Sequence, residues 1–361
     1  MAVFAEKGET YTIFSGVGPR GNYCWPSVAV LPDGDLIAVC SGRRFAHLCP
    51  FGRLSAAYSN DGGKTWSKPA GLLDTYTDER DAGVLAAPDG VYVTTFNNTL
   101  AAQRKFSEIM QWDGRSQRYI DAQLEMYGEY FQKNAGSLLL FGKDGYTFGT
   151  PVKIPLTAPH GPVLLNDGSV AMAGRAYPYY EEGDPLYLPD GIYWMTFNKT
   201  SFSNPVLVAP QGALGLRLYE PHAVQLVSGR ILIAIRAEKD TSGSTVNTFT
   251  ILTCYSDDGG KSFSPLRMTG IEGSPPHLCR LPSGDALMTY GRRKAPFGIR
   301  AALTGDGERW SEEIVLRDDG VDFDLGYPAT CILRSGDLYT VYYMKNSVSA
   351  KSAVYGTKWR L

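Results

Sequence analysis

Six times along the chain a short apolar run leads into a polar turn that closes on Gly, and a second apolar run follows. The copies are WPSVAVLPDGDLIAV from Trp25, DAGVLAAPDGVYVTT from Asp81, PHGPVLLNDGSVAMA from Pro159, PHAVQLVSGRILIAI from Pro221, PHLCRLPSGDALMTY from Pro276 and YPATCILRSGDLYTV from Tyr327. Asp-Gly and Ser-Gly between apolar runs mark β-hairpins, because glycine takes positive φ in a tight turn. The turn glycines Gly34, Gly90, Gly168, Gly229, Gly284 and Gly336 lie 56, 78, 61, 55 and 52 residues apart. Period-2 strands bounded by glycine exclude a helical solenoid. Six units of this length predict an all-β fold, a six-bladed β-propeller.

A second signature lies between the hairpins. Residues 59–66, SNDGGKTW, fit the Asp-box pattern S-x-D-x-G-x-T-W, and residues 256–263 nearly do. Residues 304–310 and 143–148 are degraded forms. In such a turn Asp accepts backbone N–H groups, Gly permits the bend and the aromatic residue plugs between neighbouring units. The acidic residues are too few for a calcium loop. Strands near 329–334, 338–344 and 352–358 leave the last unit one strand short, and residues 10–14 (TYTIF) are expected to supply it and close the ring. The longest interval holds an insertion at 104–135, where Ile120, Leu124, Tyr127 and Phe131 recur at helical spacing. A helix laid over one face is expected there, for packing more than for chemistry.

Composition narrows the field without changing that picture. A chain of 361 residues could hold two average domains, but a repeat-built β fold reaches this length as one, so one domain over 1–361 is expected. With 35 Lys plus Arg against 37 Asp plus Glu, the formal charge is −2, which argues against general binding to nucleic acid or anionic membranes. No apolar run reaches the roughly 20 residues of a membrane span. The start, MAVFAEK, lacks a basic n-region and an apolar h-region, so a cytoplasmic protein is expected. Six cysteines without CxxC spacing read as buried free thiols rather than zinc ligands. Neither a metal nor a cofactor is expected, and the oligomeric state is not legible.

In each hairpin the start of the first strand and the end of the second share one edge of the sheet. Radial packing therefore gathers these positions around one mouth, with the Gly turns and Asp-boxes on the opposite face. The pairs are Trp25 with Arg43 and Arg44, Asp81 with Asn97, His160 with Arg175, Glu220 with Arg236, His277 with Arg292 and Arg293, and Tyr327 with Tyr343. Arginine ends the second strand in four blades, which implies an anionic ligand, most simply a carboxylate gripped by paired N–H donors. Any single arginine can equally bridge blade edges. The Pro-His starts at His160, His222 and His277 are repeat geometry as much as chemistry.

With these features the chain resembles the sialidase (neuraminidase) superfamily along essentially its whole length. Glu220 and Arg236 are sixteen residues apart across YEPHAVQLVSGRILIAIR, as are that family's blade-four Glu and Arg. Tyr327 in LGYPATCILRSGDLYTVYY stands where the family's nucleophilic Tyr opens the last blade, and Arg292 or Arg293 fits a further family Arg. The resemblance implies a retaining exo-glycosidase acting on a terminal acidic sugar, sialic acid or a related nonulosonic acid. Tyr327 would attack and Glu220 would take its proton. A phenol avoids the repulsion an anionic nucleophile would meet beside the sugar's own carboxylate.

Two positions depart from the family pattern. Cys24-Trp25-Pro26 replaces the family's Arg-Ile-Pro, so one clamp arginine is absent from its usual place, with Arg43, Arg44, Arg53 and Arg80 as possible substitutes. The loop FAHLCPFGRLSAAY, where the family carries its acid/base Asp, contains no Asp or Glu. His47 is its titratable group, and Asp81 is the other candidate. The expected catalytic set is therefore Tyr327, Glu220, Asp81 and His47. The expected substrate-binding set is Arg236, Arg292, Arg293, Arg43, Arg44, Arg175, His160, His277 and Trp25. An inverting hydrolase or a lyase on a uronic-acid glycan, and a non-catalytic glycan-binding propeller, are the alternatives. In each case the partner is a glycan or a small acidic saccharide.

Overall fold

The computed structural model describes residues 3–110, 113–239 and 249–361. It is a six-bladed β-propeller. Each blade is a sheet of antiparallel strands, joined in blade five by one parallel strand, and its innermost strand opens one of the six repeated hairpins. Blade one runs Asn22–Val30, Leu36–Arg44, Arg53–Ser59, Ala70–Leu73, and blade two runs Arg80–Ala87, Gly90–Asn97, Gly136–Gly142, Val152–Ile154. Blade three has six short strands between Leu156 and Pro210, and blade four begins at Leu216–Gln225 and Ile231–Lys239. Blade five begins at Pro276–Arg280 and Ala286–Arg292, and blade six at Gly326–Ile332 and Leu338–Met344.

Blade six is completed from the other end of the chain. Glu6–Phe14 pairs antiparallel with Ala353–Arg360, which includes the strand expected at 10–14. The strand is longer than expected, and the chain before it adds a parallel pairing of Val3–Phe4 with blade five at Ile314–Arg317. Phe14 is fully buried with Trp25, Tyr339 and Tyr343, so this clasp belongs to the core between blades six and one. The rest of the core is divided in the same way, as apolar layers between adjacent blades.

All six turn glycines have positive φ, between 83° and 149°, so the conformational reason for glycine holds at each. Four Asp-centred turns join outer strands as expected. Asp61 accepts from the N–H groups of Lys64 and Thr65, while Trp66 donates to the Gly63 carbonyl and lies against Tyr339 of blade six. Asp144, Asp258 and Asp306 accept equivalent bonds. Tyr146 donates to Asp33 and Asp35 beside Gly34, and Arg230 beside Gly229 reaches Asp257. Those contacts put the Asp-centred turns and the Gly turns on one face.

The insertion forms three helices rather than one. They are α1 (Leu100–Met110), α2 (Gly114–Met126) and α3 (Gly128–Asn134), with 111–112 outside the described residues. Asp113 caps α2 by accepting from Arg115 and Ser116, and the run the periodicity suggested is broken at Tyr127, between α2 and α3. Ile120, Leu124 and Phe131 are buried together with Cys49 and Phe51, so the helices cover the loop that follows Arg44. All six cysteines are unpaired; Cys279 and Cys331 are half-buried rather than buried.

Candidate active site

Trp25, Asp81, Glu220 and Tyr327 each stand nine residues before a turn glycine, and each has a left-handed φ, of 54°, 44°, 47° and 49°. At all four the ladder to the second strand skips, between Cys24 and Ser27, Arg80 and Gly83, Tyr219 and His222, and Gly326 and Ala329. Pro26, Pro221 and Pro328 follow three of them, and proline has no N–H for the ladder. The bulge re-aims these side chains toward the axis, where they meet. In blades three and five the same offset falls on Pro159 and Pro275, which bring no polar group.

At the centre the Tyr327 hydroxyl donates to Oε1 of Glu220. Arg236 Nη1 donates to Oε2 of Glu220 at 2.6 Å and to the Tyr327 oxygen at 3.2 Å. The other edge of Arg236 is held by Glu238, with Nε at 2.8 Å. Burial and then the Glu220 charge push the Tyr327 phenol well above its ordinary pKa. The resting phenol therefore keeps its proton and shares it with a carboxylate already in place to receive it.

Two further groups face this pair. Arg293 lies over the Tyr327 ring at 5.5 Å and the Phe249 ring at 5.6 Å, and donates from Nε to the Ser274 carbonyl. Its buried Nη2 has no partner among the described residues. Outward from Arg293 a cavity of about 540 Å³ opens between Phe249, Phe297, Phe323, Glu272 and Lys294. Asp81 is buried, and its Oδ1 has no hydrogen-bond partner among the described residues. Burial, and then the Glu220 charge, raise its carboxyl to about 7 against the pull of Arg80, Arg44 and Arg236.

Trp25 is fully buried beside the Tyr327–Glu220 pair. Its indole is held between the guanidinium groups of Arg44 at 4.5 Å and Arg80 at 4.3 Å, and its ring centroid is 6.2 Å from that of Tyr327. His47 stands edge-on to the same indole at 5.1 Å. Its Nδ1 lies 3.1 Å from Oδ1 of Asp324, which also accepts from the Tyr343 hydroxyl at 2.7 Å. Burial lowers the His47 pKa, and the Asp324 bond offsets part of that. Burial would raise Asp324, but the contacts from His47, Tyr343 and Lys345 outweigh it and hold the carboxyl below its usual range.

The histidines expected at the mouth form the floor instead. His160, His222 and His277 are buried in mutual ring contact at 4.3–5.7 Å, with His160 6.3 Å from Tyr327. Leu278 N–H donates to His222 Nδ1 and Thr330 N–H to His277 Nδ1, so both rings carry their proton on Nε2. Burial drives all three pKa values down, His222 to about 3, and the rings are neutral. Beneath them an axial cavity of about 310 Å³ lined by apolar strand residues such as Val28, Val84 and Val224 runs toward the opposite face.

Several arginines expected in the substrate-binding set are committed elsewhere. Arg44 is fully buried and forks onto Asp78, with Nη2–Oδ2 at 3.0 Å, so it fixes the loop after blade one's second strand. Arg43 is exposed on the other side of that strand. Arg175 makes a two-point pair with Asp190 at 2.7–2.8 Å, and Arg292 turns to Glu313 at 3.2 Å. The structure thus brings Arg236, Arg293, Trp25 and, from the floor, His160 to the Tyr327–Glu220 pair, and not Arg43, Arg44, Arg175, Arg292 or His277. Two participants were not anticipated, Glu238 and Asp324, while Arg80, named as a possible substitute for the absent clamp arginine, is the second cation on Trp25. Among the described residues no group of three His, Cys, Asp or Glu is arranged to hold a metal ion.

No protein-family model and no curated protein matches the chain. Solved structures do. A Dyadobacter fermentans protein of unknown function superposes with a TM-score of 0.74 at 21% identity, covering 99% of both chains. The Ruminococcus gnavus intramolecular trans-sialidase in complex with oseltamivir carboxylate gives 0.66 at 12% identity over 97% of both, and the Penicillium chrysogenum α-L-arabinanase with arabinobiose gives 0.64 at 15% over 98% of both. At these identities the likeness is one of fold, and the fold is the six-bladed propeller that these glycoside hydrolases share.

Proposed function

We propose that the protein is a glycoside hydrolase of the sialidase type, with its Asp-centred turns as Asp-boxes (BNR repeats), that releases a terminal sugar with retention through Tyr327. The contact that carries this reading is the Tyr327–Glu220 hydrogen bond with Arg236 on both oxygens. As the phenol attacks the anomeric carbon, Glu220 takes its proton, and Arg236 offsets the charge that shifts between the two. The histidine floor beneath Tyr327 leaves room for an end unit rather than a threaded chain. The sugar's carboxylate would be received by Arg293, whose Nη2 has no partner among the described residues, since Arg236 is already occupied by Glu220 and Glu238.

A second reading, a neutral terminal sugar, is favoured by Cys24 standing where the family's clamp arginine would be and by the engagement of Arg44 with Asp78. One panel separates them: aryl glycosides of sialic, deaminated sialic and uronic acids beside aryl arabinosides. Under the first reading an acidic member is cleaved, and Arg293→Ala raises its KM at least tenfold. Under the second the arabinoside is preferred and Arg293→Ala leaves its KM within twofold. No cleavage of any member by the wild type contradicts both.

A further inference from the structure

The hydrolase reading leaves the leaving-group proton unassigned, and the inference here rests on that reading. The family loop has no carboxylate in this chain, and Asp81 is buried, with the Glu220 charge the strongest acting on it. His47 differs on each count. It stands half-buried in the funnel wall, 40% of its side chain exposed, and its Nε2 makes no hydrogen bond among the described residues. The buried Trp25 indole touches both the His47 ring, at 5.1 Å, and the Tyr327 ring, at 6.2 Å, so His47 stands one side chain away from the nucleophile.

We propose that His47 is the acid/base of this site and that Asp324, 277 residues away in sequence, is its positioning residue. Asp324 Oδ1 receives His47 Nδ1 at 3.1 Å, which leaves Nε2 as the nitrogen that handles the substrate's proton. Asp324 is itself fixed, by the Tyr343 hydroxyl at 2.7 Å and by Lys345, whose Nζ also pairs with Asp322 at 2.8 Å. On the other side the carbonyl of His47 accepts from Arg44 and Arg80, both of which contact Asp78. The ring is thereby pinned from blade one, from the approach to blade two and from blade six.

The step balances with these groups. In the first half, the Tyr327 oxygen bonds to the anomeric carbon and its proton passes to Glu220. The bond to the leaving oxygen breaks, and that oxygen takes its electron pair and the Nε2 proton of the imidazolium. In the second half, water bonds to the anomeric carbon and gives its proton to neutral Nε2. The bond to Tyr327 breaks, and the phenol recovers its proton from Glu220. The groups facing the ring set the pH at which this works: Arg44 and Arg80 disfavour the imidazolium, while Asp324, and behind it Tyr343 and Lys345, hold it.

The test compares His47→Gln, Asp324→Asn and Asp81→Asn on two glycosides of one sugar, with a 2,4-dinitrophenyl and an unsubstituted phenyl leaving group. A 2,4-dinitrophenolate leaves without a proton, whereas phenolate needs one. His47→Gln is expected to lose at least 100-fold in kcat/KM on the phenyl glycoside and under tenfold on the dinitrophenyl one. Asp324→Asn should lose less on both and move the alkaline limb of the kcat/KM profile to lower pH, because the imidazolium loses its carboxylate. A leaving-group-selective loss in Asp81→Asn with none in His47→Gln overturns the assignment and moves the role to Asp81. Equal losses on both substrates in His47→Gln and Asp324→Asn, with an unmoved pH limb, overturn it as well by reducing the pair to a structural link. Tyr327→Phe, dead on both substrates, identifies the underlying reading separately; activity retained there sinks the hydrolase scheme and not the proton assignment alone.

Discussion

Left-handed backbone at Trp25, Asp81, Glu220 and Tyr327 costs roughly 1–3 kcal/mol at each residue, and what it obtains is the convergence of four side chains from four blades. Asp81 carries an electrostatic cost as well. Its folded-state pKa, raised to about 7, exceeds the ordinary carboxyl value, so the folded protein binds its proton more tightly than the unfolded chain. The stability that goes with this carboxyl is present at low pH and is lost as pH rises through about 7. Asp81→Asn removes that dependence. Its Tm is expected to match the wild type near pH 4 and to exceed it by several degrees at pH 8, measured by calorimetry in matched buffers; a lower Tm at pH 8 contradicts the buried, proton-holding carboxyl. At this scale the strand-start positions and the resemblance to the sialidases singled out Glu220 and Tyr327, and the sixteen-residue offset from Glu220 singled out Arg236. It could not show which of two adjacent arginines faces the axis. Arg292 and Arg293 differ by one position, and a one-residue shift reverses the face of a strand. Nor could it show Asp324 or Glu238, because a carboxylate partner in another blade's loop leaves no local spacing to read.

Hairpins and turns carry the fold, and they were the most legible part of it. Their glycines and Asp residues act locally, so local sequence suffices to identify them. Asp61→Ala removes the acceptor for two backbone N–H groups and for the Thr65 hydroxyl, on the face opposite the funnel. A loss of about 1–2 kcal/mol by denaturant titration is expected, with kcat on the best panel substrate unchanged; unchanged stability with abolished turnover would reverse the two faces. The helical insertion was legible only in part. Ile120, Leu124 and Phe131 showed the apolar face, but the breaks between helices lie in caps such as Asp113 that periodicity does not register. Because that face covers Cys49 and Phe51, in the loop that carries His47, the insertion is coupled to the site. Phe131→Ala is expected to destabilise the insertion by about 3–5 kcal/mol and to lower kcat on the phenyl glycoside more than on the dinitrophenyl one. Hydrogen exchange localised to 100–134 checks the first part, and paired kinetics check the second.

The molecule as a whole is a ring closed by its own first strand. Glu6–Phe14 supplies the outer edge of blade six and buries Ile13 and Phe14. Removing residues 1–15 should expose Ala353–Arg360 as an open edge strand, lower the Tm and produce aggregates by light scattering. A truncated protein that stays monodisperse with an unchanged Tm would show that closure lies elsewhere. Closure also matters to the chemistry, since Tyr327 of blade six can meet Glu220 of blade four only while the ring holds its circumference. That meeting is the centre of the account, and covalent trapping tests it most directly. The protein is incubated with a fluorinated glycosyl fluoride of the sugar best cleaved in the panel, and the digest is mapped by mass spectrometry. The account predicts one added glycosyl mass, on the peptide containing Tyr327 and on its phenol, and none in Tyr327→Phe. Stoichiometric labelling of Glu220 or Asp81 instead, or full turnover by Tyr327→Phe, would contradict it.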